Sequence, residues 1–259
     1  MKNVLIGELK KFYKKNKRDL PWRKTRDPYK ILVSEVMLQQ TQVERVIPYY
    51  TQWIKRFPTA QKLAAAKLAE VLKLWQGLGY NRRAKFLHQA AKMIVEKGWQ
   101  EKLPGVGPYT RAAVEAFAYN KPGVFIETNI RTVFTHFYFK DKEGVADSQL
   151  LPLIERDFKK SKMQPRDYYA ALMDYGSYLK STGVKINKQS KHYVKQKKFK
   201  GSDRELRGAL LRELLKEPQT SVQISKTFPH AKEKAAQLLA QLVAEGLLKK
   251  RGSRFCVAD

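Results

Sequence analysis

The chain has 259 residues, 43% of them hydrophobic, which is enough for a two-lobed domain with a substantial core and a small appendage. Lysine and arginine number 52 against 24 aspartate and glutamate, a formal net charge of +28. Such an imbalance calls for a polyanion, with nucleic acid first because each neutralised phosphate releases counterions, although charge alone leaves an anionic membrane or ribosomal RNA open.

One cysteine, Cys256, excludes an internal disulfide, a multi-cysteine zinc site and a cysteine-ligated iron–sulfur cluster. No run reaches the roughly 18 apolar residues of a membrane span. The opening stretch MKNVLIGELKKFYKKNKRDL reads as an amphipathic, lysine-rich helix without a cleavage site, so the protein is expected to be soluble and cytoplasmic, with no membrane partner. Asp27-Pro28 is a helix start, Asp as N-cap and Pro at the first position, and YKILVSEVMLQQ follows at helical spacing. VERVIPYYTQWIKRF, TAQKLAAAKLAEVLKLWQGLG and RRAKFLHQAAKMIVEKGW predict one helix each, separated by Pro58-Thr59 and Gly77-Leu78-Gly79. The stripe Tyr49, Tyr50, Trp53, Phe57 has helical spacing and reads as core.

LPGVGPYT at 103–110 is the sharpest local signal. Gly105 and Gly107 permit a tight turn whose backbone N–H groups face outward at the start of the next helix, a site for phosphate. This is the helix-hairpin-helix turn, centred in about residues 95–120, which grips DNA backbone without reading sequence. TRAAVEAFAY continues as a helix, and further helices are predicted at 129–138, 147–161 and 165–180, completing an all-α body over residues 1–180. Residues 180–200 hold eight lysines and no acid, and 181–202 reads as a linker or a segment ordered on phosphate. Over 203–259, DRELRGALLRELLKEP, VQISKTF and AKEKAAQLLAQLVAEGLLKK predict three helices, and LLKK with RFCVA a hairpin around Arg251-Gly252-Ser253: a winged-helix module.

Two carboxylates stand out. Glu35 falls on one helical stripe with Ile31, Leu32 and Leu38, so its carboxyl should face a cleft or core, where desolvation raises its pKa. Glu127 interrupts the apolar run GVFIETNIRTVF. His88, His136, His192 and His230 show no metal-ligand spacing, and no metal site is expected.

LPWRKTRDPYKILVSEVMLQQTQVERVIPYY, RFPTAQKLA, LWQGLGYNRRAKFLHQAA and LPGVGPYT, in that order, resemble the adenine DNA glycosylases of the MutY family, a branch of the helix-hairpin-helix base-excision repair glycosylases. The resemblance covers about residues 5–180 and implies two α-helical lobes with a base-flipping cleft between them. It implies that Glu35 protonates the adenine leaving group. Glu127 matches the carboxylate that stabilises the oxocarbenium-like sugar, and Asn129 the residue that orients the acid network. It implies that Gln39, Gln40 and Thr41 fill the gap left by the flipped base, and that Tyr80, Asn81, Arg82, Leu103, Gly105, Val106, Gly107 and Thr110 contact DNA. From the lysine run, Lys195, Lys197 and Lys198 are expected to join them. Tyr109 stands where sister enzymes that cut the backbone carry a nucleophilic lysine, and a tyrosine cannot form a Schiff base.

This chain departs from the family's pattern in several places. The family aspartate, followed by Gly and Asn, is here Glu127-Thr128-Asn129. Asn81 replaces the second tyrosine of GLGYY. The family's four cluster cysteines would begin at Lys180, and none exists. The winged helix stands where other members carry a Nudix-like domain. The expectation is a monomeric, cofactor-free, monofunctional glycosylase acting on duplex DNA with a mispaired base, adenine opposite 8-oxoguanine or guanine. The alternatives are a thymine or uracil mismatch glycosylase and a catalytically silent protein that holds damaged DNA.

Overall fold

The computed structural model describes residues 4–99, 102–184, 186–191 and 198–258. In chain order the helices are α1 Val4–Asn16, α2 Pro28–Leu38, α3 Val43–Arg56, α4 Ala60–Ala64, α5 Leu68–Trp75, α6 Arg82–Lys97 and α7 Pro108–Tyr119. They continue with α8 Thr128–Tyr138, α9 Asp147–Ser161, α10 Pro165–Ser181, α11 Asp203–Leu214, α12 Ser221–Thr227 and α13 Lys232–Ala244, beside strands β1 Gln219–Thr220, β2 Leu248–Arg251 and β3 Arg254–Val257. The chain forms two compact units, Met1–Glu35 with Val106–Lys195, and Val36–Gly105 with Gln196–Asp259.

In the first unit, α8 and α10 pack against each other and α1 covers α10. The core joins Leu5 and Leu9 of α1 to Ile130, Val133 and Phe134 of α8 and to Tyr169, Leu172 and Leu179 of α10. Each large apolar side chain buried this way contributes about 1.5–3 kcal/mol over exposure. Asp174 of α10, 2% exposed, pins the segment before α2: Arg23 grips it with Nη1–Oδ2 2.6 Å and Nη2–Oδ1 2.7 Å, and Arg18 pairs with it as well. Removing one partner of a buried pair costs about 3–5 kcal/mol, because the other charge is left behind.

In the second unit, Trp53 of α3 meets Phe57 and Trp75 edge-on at 5.2 and 5.4 Å, so Tyr50, Trp53 and Phe57 of the predicted stripe are core. The segment predicted as one helix from Thr59 to Gly79 is two. It breaks at residues 65–67, where Lys67 adopts an extended backbone as the N-cap of α5. Local alanine content favours one continuous helix; the break lets Leu63 of α4 and Val71, Leu72 and Trp75 of α5 all turn inward, and packing overrides propensity.

The predicted C-terminal helices and hairpin are present, joined by a strand the sequence did not signal. β1 is two residues long and pairs antiparallel with β3, giving the order β1-β3-β2 with Arg251 opposite Arg254 across Gly252. The module belongs to the same compact unit as residues 36–105: Arg204 of α11 donates to the Tyr80 hydroxyl at 2.8 Å, and Lys85 of α6 donates to the Glu245 carbonyl at 2.5 Å. The start of the lysine-rich segment is structured rather than free: Val145 N–H donates to Gln189 O at 2.9 Å and Lys191 N–H to Val145 O at 3.1 Å. Lys195 and Lys197 lie outside the described residues, and Lys198 is exposed.

Candidate active site

Glu35, Tyr109, Glu127 and Asn129 all belong to the first unit. α2 is apolar on every face here, with Ile31, Leu32, Val33, Val36 and Met37 buried, so Glu35 lies on a core helix and not on the apolar stripe of an amphipathic one. Glu35 is 6% exposed, and its Oε2 accepts the Tyr109 hydroxyl at 3.0 Å. Burial pushes its pKa up to about 7, the Tyr109 hydrogen bond pulls it down, and the charge of Glu127 adds to the rise. Tyr109 is pinned by Phe125, edge-on at 5.7 Å, and Phe125 stacks on Tyr169 at 3.7 Å. Burial and the two nearby carboxylates hold the Tyr109 pKa well above its ordinary value, so the phenol stays protonated and acts as a donor.

Glu127 is the N-cap of α8. Its Oε1 accepts the backbone N–H groups of Asn129 at 2.8 Å and Ile130 at 2.9 Å, and Oε2 accepts Asn129 Nδ2 at 3.2 Å. The glutamate thus folds back onto its own helix, satisfying N–H groups that the first turn leaves open. Burial raises its pKa, against the two backbone N–H groups and the charges of Lys180 and Arg131, which favour the ionised form. Lys180 of α10 donates to Asn129 Oδ1 at 2.7 Å. Arg131 is committed to Asp147, with Nε–Oδ1 2.7 Å and Nη2–Oδ2 2.8 Å.

The residues predicted to contact DNA from 39 to 82 belong to the second unit and gather around a hollow of mixed polar and apolar lining. Gln40, Thr41, Tyr80 and Asn81 line a cavity of about 610 Å³, together with Phe199 and Arg204. Gln40 and Tyr80 hold left-handed backbones, φ 54° and 48°, a conformation that non-glycine residues adopt at a cost and that concentrates at functional sites. Gln39, Arg82 and Gly105 line an adjoining hollow of about 520 Å³ that shares Gln40, Tyr80 and Asn81. In the hairpin turn, Gly105 has φ 70°, and a Cβ there would stand 2.7 Å from the Cβ of Phe86, so glycine is required twice over. Gly107 caps α7 with its backbone and is exposed, and Val106 is half-buried. Leu103 and Thr110 are 4% and 3% exposed, so their side chains face inward and only their backbone could meet a phosphate.

Two residues escaped the sequence reading. Arg83, 8% exposed, donates through Nη1 to the carbonyls of Val36, Met37 and Gln39 at 2.9, 3.0 and 2.6 Å. Through Nη2 it reaches Thr41 Oγ1 and the carbonyls of Leu78 and Gly79, each at 3.2 Å. It thereby fixes loop 39–41 to loop 78–79, and burial lowers its pKa to about 10. The available signal was its register with Leu87 and Ala91, which puts a cation on the buried face of α6. Lys180 enters the sequence analysis as the place of the absent cysteine and the first lysine of the run 180–200, with nothing there to tie it to Asn129. The residues present do not fit an iron–sulfur cluster. Cys256 is the one thiol of the chain, its Sγ lies 3.6 Å from the carbonyl of Lys249, and an ammonium group stands at position 180. Among the described residues no group of three or more His, Cys, Asp and Glu could hold a metal ion, and no helix is long and apolar enough to cross a membrane.

Residues 33–154 match the model of the HhH-GPD superfamily base excision DNA repair protein. The chain is 32% identical to the adenine DNA glycosylase of Mycolicibacterium smegmatis, over 97% of this chain and 95% of that one. It is 42% identical to the human adenine DNA glycosylase over 49% of this chain, a segment spanning 27% of the human protein. Among solved structures, a thermostable thymine-DNA glycosylase aligns with a TM-score of 0.58 at 24% identity, over 72% of this chain and 94% of that one. A DNA-trapped endonuclease III aligns at 0.53 and 20%, over 68% and 84%. At these identities the two structures show a shared fold, and the full-length likeness to the Mycolicibacterium enzyme carries the narrower assignment: the chain belongs to the adenine DNA glycosylase family of HhH-GPD base excision DNA repair proteins.

Proposed function

We propose that the protein is a monofunctional DNA glycosylase that hydrolyses the N-glycosidic bond of adenine mispaired with 8-oxoguanine or guanine, acting as a monomer on duplex DNA in the cytoplasm. The observation that carries this reading is the arrangement of Glu35, buried and hydrogen-bonded to Tyr109, in the same unit as Glu127 with its Asn129 partner. With a pKa of about 7, about half of Glu35 is protonated at neutral pH and can donate to N7 of a flipped adenine. Departure of the base leaves an oxocarbenium-like sugar. In its ionised form, held by its cap hydrogen bonds, Glu127 stabilises that charge, and water completes the hydrolysis.

Tyr109 has no amine and stays protonated, which supports hydrolysis without Schiff-base chemistry and without a β-lyase step. No cofactor is needed, and metal analysis of the purified protein should find no iron. The hairpin turn at Gly105–Gly107 is the backbone clamp. Gln39, Gln40, Thr41, Tyr80, Asn81 and Arg82 are the wedge that replaces the flipped base, and residues 203–259 are a winged helix that, with Lys195, Lys197 and Lys198, adds phosphate contacts.

Base release from short duplexes carrying each mismatch and each 8-oxoguanine pair tests the reading. Adenine released from pairs with 8-oxoguanine or guanine, with no strand cut before alkali, is the expected result. Release of thymine or uracil opposite guanine, independent of Glu35, would replace it with a pyrimidine mismatch activity, because a pyrimidine has no N7 to protonate. No release from any duplex, with binding intact, would indicate a silent DNA-binding protein.

A further inference from the structure

We propose that Lys180 is a positioning residue for Glu127, acting through Asn129. This rests on the reading of Glu127 as the carboxylate that faces the sugar cation. The geometry is a relay of three side chains. Lys180 Nζ donates to Asn129 Oδ1 at 2.7 Å, and Asn129 Nδ2 donates to Glu127 Oε2 at 3.2 Å. An ammonium group has donors and no acceptor, so an asparagine facing it must present its carbonyl oxygen. That choice turns the Asn129 amide nitrogen towards Glu127. A residue at position 180 without a donor would leave the Asn129 oxygen without this partner, so that the carboxamide would be held from the Glu127 side alone.

The fold is arranged to bring these groups together. Gly176, one turn before Lys180 on α10, lies so close to α8 that a Cβ would stand 2.3 Å from the carbonyl oxygen of Asn129. That approach, open only to glycine, brings the next turn of α10 to the first turn of α8. Lys180 is half-buried, and burial lowers its pKa while Glu127 opposes that, so the two charges sense each other. The position matters because it is where the resemblance puts the first cluster cysteine. In place of a metal-bound thiolate, this chain carries a cation directed at the asparagine beside the catalytic carboxylate.

Among the described residues, the charged and titratable groups facing Glu127 are Arg131 on α8, Lys180 on α10, Glu35 on α2 and Tyr109 on α7. Arg131 is held by Asp147, so removal of Lys180 takes away the cation that reaches Glu127 through Asn129.

The test is single-turnover adenine release over a range of pH by the parent, Lys180→Met, Lys180→Arg, Asn129→Ala, the Lys180→Met/Asn129→Ala double variant and Glu127→Gln, each with duplex binding and thermal melting measured. Lys180→Met should slow release about tenfold or more near neutral pH and move the acidic limb of the profile upward by roughly one pH unit, because a nearby cation favours the ionised carboxylate. Lys180→Arg should restore most of the rate and return the limb. In the Asn129→Ala background, Lys180→Met should have little further effect, as expected of residues that act as one unit. An unmoved acidic limb in Lys180→Met overturns the proposal, whether the rate is parental or falls only with the folded fraction, and so does full additivity with Asn129→Ala. If Lys180→Met fails in either way while Glu127→Gln is inactive, the reading of Glu127 stands and the role of Lys180 falls. A fully active Glu127→Gln removes both.

Discussion

The Tyr109 hydroxyl donates to Glu35 Oε2 at 3.0 Å, and it does so from a ring clamped against Phe125. The bond favours the ionised form of Glu35, against the burial that favours the neutral acid. Tyr109→Phe keeps the ring contact and removes the donor, so the pKa of Glu35 should rise further. The alkaline limb of the single-turnover profile should move to higher pH, and an unmoved limb would show that Tyr109 does not tune the acid.

Glu35 itself carries a stability cost. Folded, it holds its proton up to about pH 7, whereas its ordinary value is 4.5. The folded state therefore binds the extra proton between those values, and stability falls as pH rises through that window. The loss is on the order of 3 kcal/mol by neutral pH. Glu35→Gln should lose adenine release by about 10²–10⁴-fold. It should also melt higher than the parent at pH 7 to 8, with the gain gone below about pH 4.5. A variant that melts lower at pH 8 would contradict the sign.

Arg83 should be needed for loop geometry more than for charge on the surface. Arg83→Met leaves the carbonyls of Val36, Met37, Gln39, Leu78 and Gly79 without this donor, and losses of about 1–3 kcal/mol for each unsatisfied buried group make destabilisation the expected result. Arg82, exposed and lying over the Phe86 ring at 5.2 Å, should tolerate the same change with stability altered by less than about 0.5 kcal/mol. Equal melting shifts for the two variants would refute the distinction.

Two glycines make a matched pair of packing tests. Gly105→Ala meets both a left-handed backbone and Phe86, and Gly176→Ala meets the Asn129 carbonyl in an ordinary helix. Each should cost about 1–3 kcal/mol. Gly176→Ala should in addition reduce adenine release beyond its effect on stability, because it pushes Lys180 and Asn129 apart. Loss of activity strictly in step with unfolded protein would argue against that link.

The helical body was legible because apolar residues recur at helical spacing and because Asp27-Pro28, Gly105 and Gly107 punctuate the chain. Glu35 and Glu127 were legible as carboxylates in apolar company. What the sequence hid depends on long-range contacts. The break at Lys67 is set by where Leu63 and Trp75 must point, and the two residues of β1 are fixed by pairing with β3. The relay from Lys180 joins residues separated by 51 positions. Glu127 also posed a question that spacing could not answer, namely where one extra methylene goes. It goes into a bend that caps α8, leaving the carboxylate at the helix N-terminus beside Asn129. Leu103 and Thr110 lie within the hairpin signature, yet their side chains are inside, because periodicity alone does not separate the backbone of a turn from the residues that anchor it.

Single-turnover adenine release by Glu127→Gln, with Glu127→Asp beside it and duplex binding measured separately, addresses the central claim most directly. Gln can retain an oxygen acceptor for the cap N–H groups and removes the charge. It should therefore fold and bind duplex within a few-fold of the parent while losing release by about 10²–10³-fold, the scale on which electrostatic stabilisation of a transition state operates. Glu127→Asp should keep part of the activity, since it retains the charge on a shorter arm. Parental single-turnover activity in Glu127→Gln would contradict the account, and would leave the carboxylate as a helix cap alone.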